Sequence, residues 1–329
     1  MYYERVKIWF IDFWPGFSIE DNLFVKIIKD RYNVVFDRNK PDFLFCSCFS
    51  SKHLFYDVVK IFYTGENLTP DFNLFDYAIG FDHLSFEDRY FRMPLYKLYQ
   101  KQCDMQKHEE FFWKKEISRK TKFCNFLYSN NFYANPMRLS LLDAISTYKH
   151  VECGGKIRNN IGGRVTNKNI WLRDFKFSIA CENSSKSGYV TEKILEALQA
   201  YTIPIYWGDP YISHEFNPKR FINCHDFNSL NDIVSEIRRL DENPDDYLSM
   251  LKEPWFRENM SPPPSDDVYF RNFLYHILDQ GPEKARRTTQ DGATRDYIFK
   301  QRCLERLQVG IRAYHKLEKI WTNRKILSF

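Results

Sequence analysis

The chain has 329 residues, 43% of them hydrophobic and 18% aromatic, with a formal charge of +5. That much apolar material supports two domains of ordinary size and excludes a disordered protein. Met1 to Phe10 lacks the basic start, apolar middle and small-residue cleavage site of a secretory signal, and no apolar run reaches the length of a membrane span, so the expected compartment is the cytoplasm. The eight cysteines are scattered without a CxxC pair and are expected to be reduced core residues. Charge is uneven: from Glu283 to Phe329 there are twelve Lys or Arg against five Asp or Glu, which leaves the first 282 residues at −2. A near-neutral body argues against nucleic acid as a partner.

The first third alternates apolar β-forming runs with helical spacing. Val6–Phe13, Val34–Phe36, Phe43–Cys46, Val58–Tyr63 and Tyr77–Phe81 predict strands, and Ile19–Tyr32 predicts a helix. Such alternation defines an α/β protein whose parallel sheet takes ligands beyond the carboxyl ends of its strands. Thr64-Gly65-Glu66-Asn67 falls at such an end, which makes Glu66 the best-placed carboxylate of this half; a rim residue tied to backbone N–H groups is the alternative. Lys97–Lys122 is charged and free of strand patterning and is expected to connect two domains.

A second set of units follows, with strands at Lys122–Tyr128, Val151–Cys153, Phe175–Ala180, Ile203–Trp207 and Phe221–Cys224. Met137–Tyr148, Leu230–Leu240 and Val268–Leu278 predict helices, and Pro262-Pro263-Pro264 breaks the chain before the last. Glycines at 154, 155, 162 and 163 bracket Arg158, either as a phosphate-binding fork or as a surface arginine on a turn. From Tyr297 on, Phe299, Cys303, Leu307, Ile311, Tyr314, Leu317 and Trp321 recur at spacings of three and four among basic residues. That pattern suits a helix lying on an anionic membrane surface, or one packed on the body.

The second half is organised around Ser187–Asp209. Thr191 predicts an N-cap, and Ile194, Leu195, Leu198 and Tyr201 share a face, so Glu192 and Lys193 fall in the first turn of a helix. A cation there opposes the helix dipole at a cost of about 0.3–1 kcal/mol. Lysine beside free helix N–H groups makes a seat for the phosphates of a nucleotide diphosphate; a solvated surface lysine is the alternative. There is no glycine-rich phosphate loop, no HExxH and no Asp-x-Asp, so no metal is read, and the diphosphate would be neutralised by protein cations.

FYTGEN at Phe62–Asn67, DFNLFDYAIGFD at Asp71–Asp82, RYFRMPLY at Arg89–Tyr96, CEN at Cys181–Asn183, GYVTEKI at Gly188–Ile194 and TIPIYWG at Thr202–Gly208 resemble bacterial α1,3-fucosyltransferases of glycosyltransferase family 10. That family also holds the animal Lewis-antigen enzymes, and the likeness is to its Helicobacter pylori type. The resemblance implies a GT-B fold, two Rossmann-like domains facing a cleft. It implies a GDP-fucose donor on the C-terminal domain, an N-acetyllactosamine-type acceptor on the N-terminal domain, and no required cofactor. By matching motifs Glu66 takes the place of the general base, while Arg158, Asn183, Tyr189, Glu192 and Lys193 take those of the donor-binding set. The expected boundaries are 1–118 for the acceptor domain, 119–280 for the donor domain and 281–329 for a basic amphipathic helical tail, either in peripheral contact with an anionic membrane or packed on the body. Ser184–Gly188 departs from the small, uncharged loop expected there, so that Lys186 either adds a donor contact or is solvated. A transferase with another nucleotide-sugar donor and a non-catalytic membrane-surface protein are the competing functions.

Overall fold

The structure, a computed structural model, describes residues 4–99, 109–130, 134–257, 268–289 and 291–326; in the last helix side chains are described to 308 and at 310 and 311. Pro262-Pro263-Pro264, and the side chains of Tyr314, Leu317 and Trp321, lie outside the described residues. The chain forms two compact units, one of residues 1–80, 85–91 and 268–329, the other of 81–84 and 92–267.

The first unit begins with β1 (Arg5–Ile11), α1 (Leu23–Lys29), β2 (Asn33–Phe36), β3 (Phe43–Cys46), β4 (Val59–Tyr63), β5 (Tyr77–Gly80) and β6 (Tyr90–Arg92). These strands make a sheet ordered β2-β1-β3-β4-β5-β6, parallel from β2 to β5. β3 and β4 are buried along their whole length, as a sheet covered on both faces requires. Asn22 caps α1 by accepting the Val25 N–H at 3.0 Å, and the helix buries Phe24, Val25, Ile27 and Ile28.

The second unit holds α2 (Tyr96–Tyr99), α3 (Glu110–Arg119), β7 (Lys122–Phe126), α4 (Met137–Tyr148), β8 (Val151–Cys153), α5 (Lys168–Leu172), β9 (Phe175–Cys181), α6 (Glu192–Gln199), β10 (Ile203–Trp207), β11 (Ile222–Asn223), α7 (Leu230–Glu242) and α8 (Pro244–Lys252). Its five-stranded sheet is ordered β11-β10-β9-β7-β8 and is parallel throughout. α3 corrects the expected connector. Residues 109–121 are an integral part of this unit, because Trp113 and Glu116 are buried and Arg173 pairs with Glu116. Lys120 gives its ammonium protons to the carbonyls of Arg173 and Ala200 at 2.7 and 2.8 Å. Buried pairing of Glu116 and Lys120 thus holds 109–121 in this unit, while residues 100–108 of the expected connector lie outside the described residues.

The chain returns to the first unit through α9 (Val268–Asp279), α10 (Gly281–Lys284) and α11 (Gly292–Ile326). Phe270 is fully buried, with its ring 6.1 Å from Phe24 and 5.2 Å from Phe91. Buried Asp76, which also accepts the Lys60 N–H at 2.8 Å, takes the N–H groups of Arg287 and Thr288 at 2.8 and 2.7 Å. The compact units thus do not follow boundaries at 118 and 280. The tail is tied to the first unit as well, since Ile298 is buried, Tyr297 donates to Asp71 and Arg302 donates to the Leu54 carbonyl at 2.7 Å. Of the predicted apolar stripe, Phe299, Leu307 and Ile311 are exposed. Among the described residues no helix is long and apolar enough to cross a membrane.

Phe270→Ala is expected to lower unfolding stability by about 3–5 kcal/mol, the range for truncating a buried aromatic, in urea denaturation of the whole chain. A loss below about 1 kcal/mol would show that α9 is not part of the first core.

Candidate donor and base sites

In the second sheet β7 is followed by β8 on one side and by β9 on the other, so the strand order reverses between β7 and β9. Doubly wound sheets bind ligands at that reversal. A cavity of about 180 Å³ lies there, lined by Asn125, Tyr128, Arg138, Asn183, Glu192 and Lys193 among others. Whole-ligand pockets run to roughly 300–1,000 Å³, so this one suits the compact charged part of a ligand.

Lys193 occupies the first turn of α6, as its spacing predicts, and the structure shows what holds it there. Glu182, fully buried after the end of β9, accepts from the Lys193 ammonium at 2.9 Å. It also accepts the Thr191 N–H at 2.8 Å and the Thr191 hydroxyl at 2.7 Å. Thr191 stands at the N-cap position, but its hydroxyl does not cap the helix; it is spent on Glu182. At an effective dielectric of 20 the gross attraction of opposite charges about 4 Å apart is near 4 kcal/mol, against about 0.3–1 kcal/mol of dipole penalty. Glu182 therefore decides the matter. Burial pulls the Lys193 ammonium toward neutrality, but the neighbouring Glu182 and Glu192 carboxylates outweigh it and raise its pKa.

Arg138 is the residue that motif matching misses. It lies in the first turn of α4 and is 1% exposed, yet the acceptors described for it are all neutral. They are the carbonyls of Asn130 and Cys181, both at 3.2 Å, and Asn183 Oδ1 at 2.7 Å. Its guanidinium lies over the Tyr128 ring at 4.2 Å, and its Nε has no partner. A buried cation without a counter-charge is costly unless an anion joins it. The signal was available: a cation in the first turn of a helix opposes the dipole in α4 as it does in α6.

The predicted donor set is brought together only in part. Asn183, Glu192 and Lys193 line the cavity; Tyr189 and Arg158 do not. Tyr189 is 2% exposed, its ring set edge-on to Phe81 at 5.1 Å. Arg158 has a left-handed backbone, a 59% exposed side chain and Asp143 at 3.7 Å. The glycines before it serve packing: a Cβ on Gly155 would lie 2.0 Å from the Tyr128 carbonyl oxygen. Lys186 does not line the cavity; about a third exposed, it pairs with Asp82 at 3.1 Å over the Phe81 ring. Gly188 lets that loop close down, with φ +79° and the Phe81 carbonyl 2.5 Å from where a Cβ would be.

Glu66 belongs to the first unit, where it follows β4 and is exposed. Its N–H donates to Thr64 Oγ1 at 2.9 Å, and its carbonyl accepts the Leu68 N–H at 2.7 Å. A tight turn thus sets the carboxylate at the rim of the sheet.

Two Rossmann-like units, the second with a cationic cavity at its switch point, are the architecture of the GT-B class. Residues 8–99 match the family model "Alpha-(1,3)-fucosyltransferase FucT N-terminal domain", and residues 117–264 match "Glycosyltransferase family 10 (fucosyltransferase) C-term". The chain is 36% identical over 287 residues to the alpha-(1,3)-fucosyltransferase FucT of Helicobacter pylori, covering 75% of this chain and 60% of that one. A 4-alpha-L-fucosyltransferase of Bos taurus is 31% identical over 149 residues, 44% of this chain and 39% of its own. The crystal structure of an α1,3-fucosyltransferase with GDP-fucose superposes with a TM-score of 0.68 at 32% identity, over 83% of this chain and 89% of that one. The chain belongs to glycosyltransferase family 10, the fucosyltransferases, and spans about 60% of the length of its Helicobacter pylori relative.

Glu182→Ala is expected to cost about 3–5 kcal/mol of stability by stranding the Lys193 charge. Glu182→Ala/Lys193→Met should recover much of it. Urea unfolding of both variants checks the pair; a double variant no more stable than the single would show that Glu182 acts through Thr191 alone.

Proposed function

We propose that the chain is an inverting α1,3-fucosyltransferase that moves L-fucose from GDP-β-L-fucose to the 3-hydroxyl of the GlcNAc in N-acetyllactosamine-type glycans. The observation that carries the reading is the convergence of two first-turn cations, Arg138 and Lys193, with Asn183 and Glu192 on one cavity at a switch point. A solved relative of this fold is described with GDP-fucose, which supplies the ligand class.

In this reading Glu66 accepts the proton of the acceptor hydroxyl as its oxygen attacks the anomeric carbon of fucose. The bond from that carbon to the diphosphate oxygen breaks on the opposite side, and the configuration inverts from β to α. Negative charge growing on the departing GDP is met by Lys193, mostly buried, and Arg138, fully buried, both already oriented by Glu182 and Asn183. Glycosidases need a second carboxylate because an alkoxide leaves poorly; a diphosphate leaves well, so one carboxylate and two cations suffice. Asn183 fixes Arg138 through its Oδ1, and Glu192, negative beside Lys193, meets the ribose hydroxyls. Arg138 thereby takes the diphosphate role that motif matching assigns to Arg158.

Incubation with GDP-fucose and N-acetyllactosamine should release GDP and give an α1,3-linked product. Glu66→Gln should lower kcat by about 10²–10⁴-fold, the ordinary worth of a general base. Lys193→Ala and Arg138→Lys should raise the GDP-fucose KM and lower kcat, while Arg158→Ala stays within about two-fold of wild type on both. Equal losses in the Arg138 and Arg158 variants would contradict the donor assignment. Stronger inhibition by UDP than by GDP would move the chain to another donor.

The exposed apolar side of α11 supports peripheral contact with an anionic membrane. Phe299, Leu307 and Ile311 are exposed at four-residue multiples, with Lys300 and Arg306 on adjoining faces. Replacing all three by Ser should weaken sedimentation with vesicles containing phosphatidylserine and leave turnover on a soluble acceptor intact. Unchanged vesicle binding would remove the tail from any membrane role.

A further inference from the structure

The first unit has a switch point of its own. β1 is followed by β2 on one side and β3 on the other, so the loops after β1 and β3 flank the crevice where such sheets take ligands. Each loop presents an exposed aromatic ring there, Trp14 at 40% and Phe49 at 46% exposure. The rings meet edge-on at 6.1 Å.

The pair is held in place by its own unit. Ser47 and Phe49 donate their N–H groups to the carbonyls of Ile11 and Asp12 at 3.1 and 2.9 Å, zipping the two loops together. Asp12 adopts a left-handed φ of +64° without being glycine, a strained backbone of the kind kept at ligand sites. Its buried carboxylate accepts from the Lys52 and His53 N–H groups at 3.1 and 2.9 Å, from His53 Nδ1 at 2.7 Å and from the Ser50 hydroxyl. Behind the pair, Trp14 packs on Phe17 at 5.0 Å, Phe17 stacks on Phe13 at 4.1 Å, and Phe13 stacks on Tyr63 at 6.4 Å. Tyr63 ends β4, three residues before Glu66. Cys48 Sγ and Thr64 Oγ1 meet at 3.4 Å, which joins the β3 loop to the Glu66 turn.

Two strand spacings, about 10 Å, separate β1 from β4, a span of two sugar rings. A saccharide offers an apolar C–H face edged by hydroxyls, which matches a rigid aromatic surface whose indole N–H serves as a polar handle. Two rings present too little area for a stable protein partner. We propose that Trp14 and Phe49 form the acceptor platform: they stack on the C–H face of the sugar next to the one whose hydroxyl Glu66 deprotonates, and so set which disaccharide is accepted. This inference rests on the fucosyltransferase reading above.

Steady-state kinetics with GDP-fucose and N-acetyllactosamine test it. Trp14→Ala and Phe49→Ala should each raise the acceptor KM roughly three- to ten-fold, the worth of one aromatic contact, with the GDP-fucose KM unmoved. Trp14→Tyr, which keeps a ring, should restore most of the loss. An acceptor KM unchanged in both alanine variants, or one rising in step with the donor KM, overturns the platform while leaving the transferase reading intact. If the wild type transfers no fucose, the transferase reading falls by itself, and saturation-transfer NMR with N-acetyllactosamine decides the platform. Sugar signals present with wild type and lost with Trp14→Ala support it; equal or absent signals with both proteins overturn it.

Discussion

The second unit depends on one buried carboxylate. Glu182 receives the ammonium of Lys193 and both donors of Thr191, and its own N–H donates to the Trp207 carbonyl at 2.7 Å. One side chain and its backbone thereby tie the ends of β9 and β10 to the start of α6. It also permits a cation where the helix dipole opposes one, which puts positive charge at the mouth of the sheet. With Glu182 in place Lys193 is charged, oriented and mostly desolvated before any ligand arrives, the condition under which a cation stabilises developing charge most strongly.

Both sheets follow one logic. Each reverses its strand order once, between β1 and β3 in the first unit and between β7 and β9 in the second. At each reversal the local rules of stability are relaxed. The second has Arg138 buried among neutral acceptors and Lys193 against the dipole; the first has Asp12 left-handed and two aromatic rings in water. Elsewhere Asn22, Ser229 and Asn243 cap their helices as those rules require. Departures gathered at switch points and compensated nearby are the pattern expected of functional sites.

Much of this was legible in the sequence. Runs such as Phe43–Cys46 and Ile203–Trp207 are strands as their apolar β-forming composition requires, and Met137–Tyr148 is a helix between the limits its spacing sets. Glu66 and Lys193 were legible because a turn after a strand and a cation in a first helical turn are local signals. What was not legible depends on residues far apart in the chain. Arg138 owes its meaning to Asn183, 45 residues away, and Arg158 lies outside the cavity with a mostly exposed side chain. The return of α9 to the first core rests on contacts of Phe270 with Phe24 and Phe91, and no periodicity within residues 268–279 records them. Charge density misled at 109–121 for the same reason, since Glu116 and Lys120 find their partners on segments later in the chain.

On the proposed reading the donor diphosphate is held by the first-turn cations Arg138 and Lys193, the one fully and the other mostly buried. A crystal structure of the chain with GDP tests it most directly. Diphosphate oxygens are expected within hydrogen-bond distance of Arg138 and Lys193, with Lys193 still on Glu182 and Arg158 turned to solvent. A diphosphate lying against Arg158, with Arg138 still bound only to Asn130, Cys181 and Asn183, would contradict it.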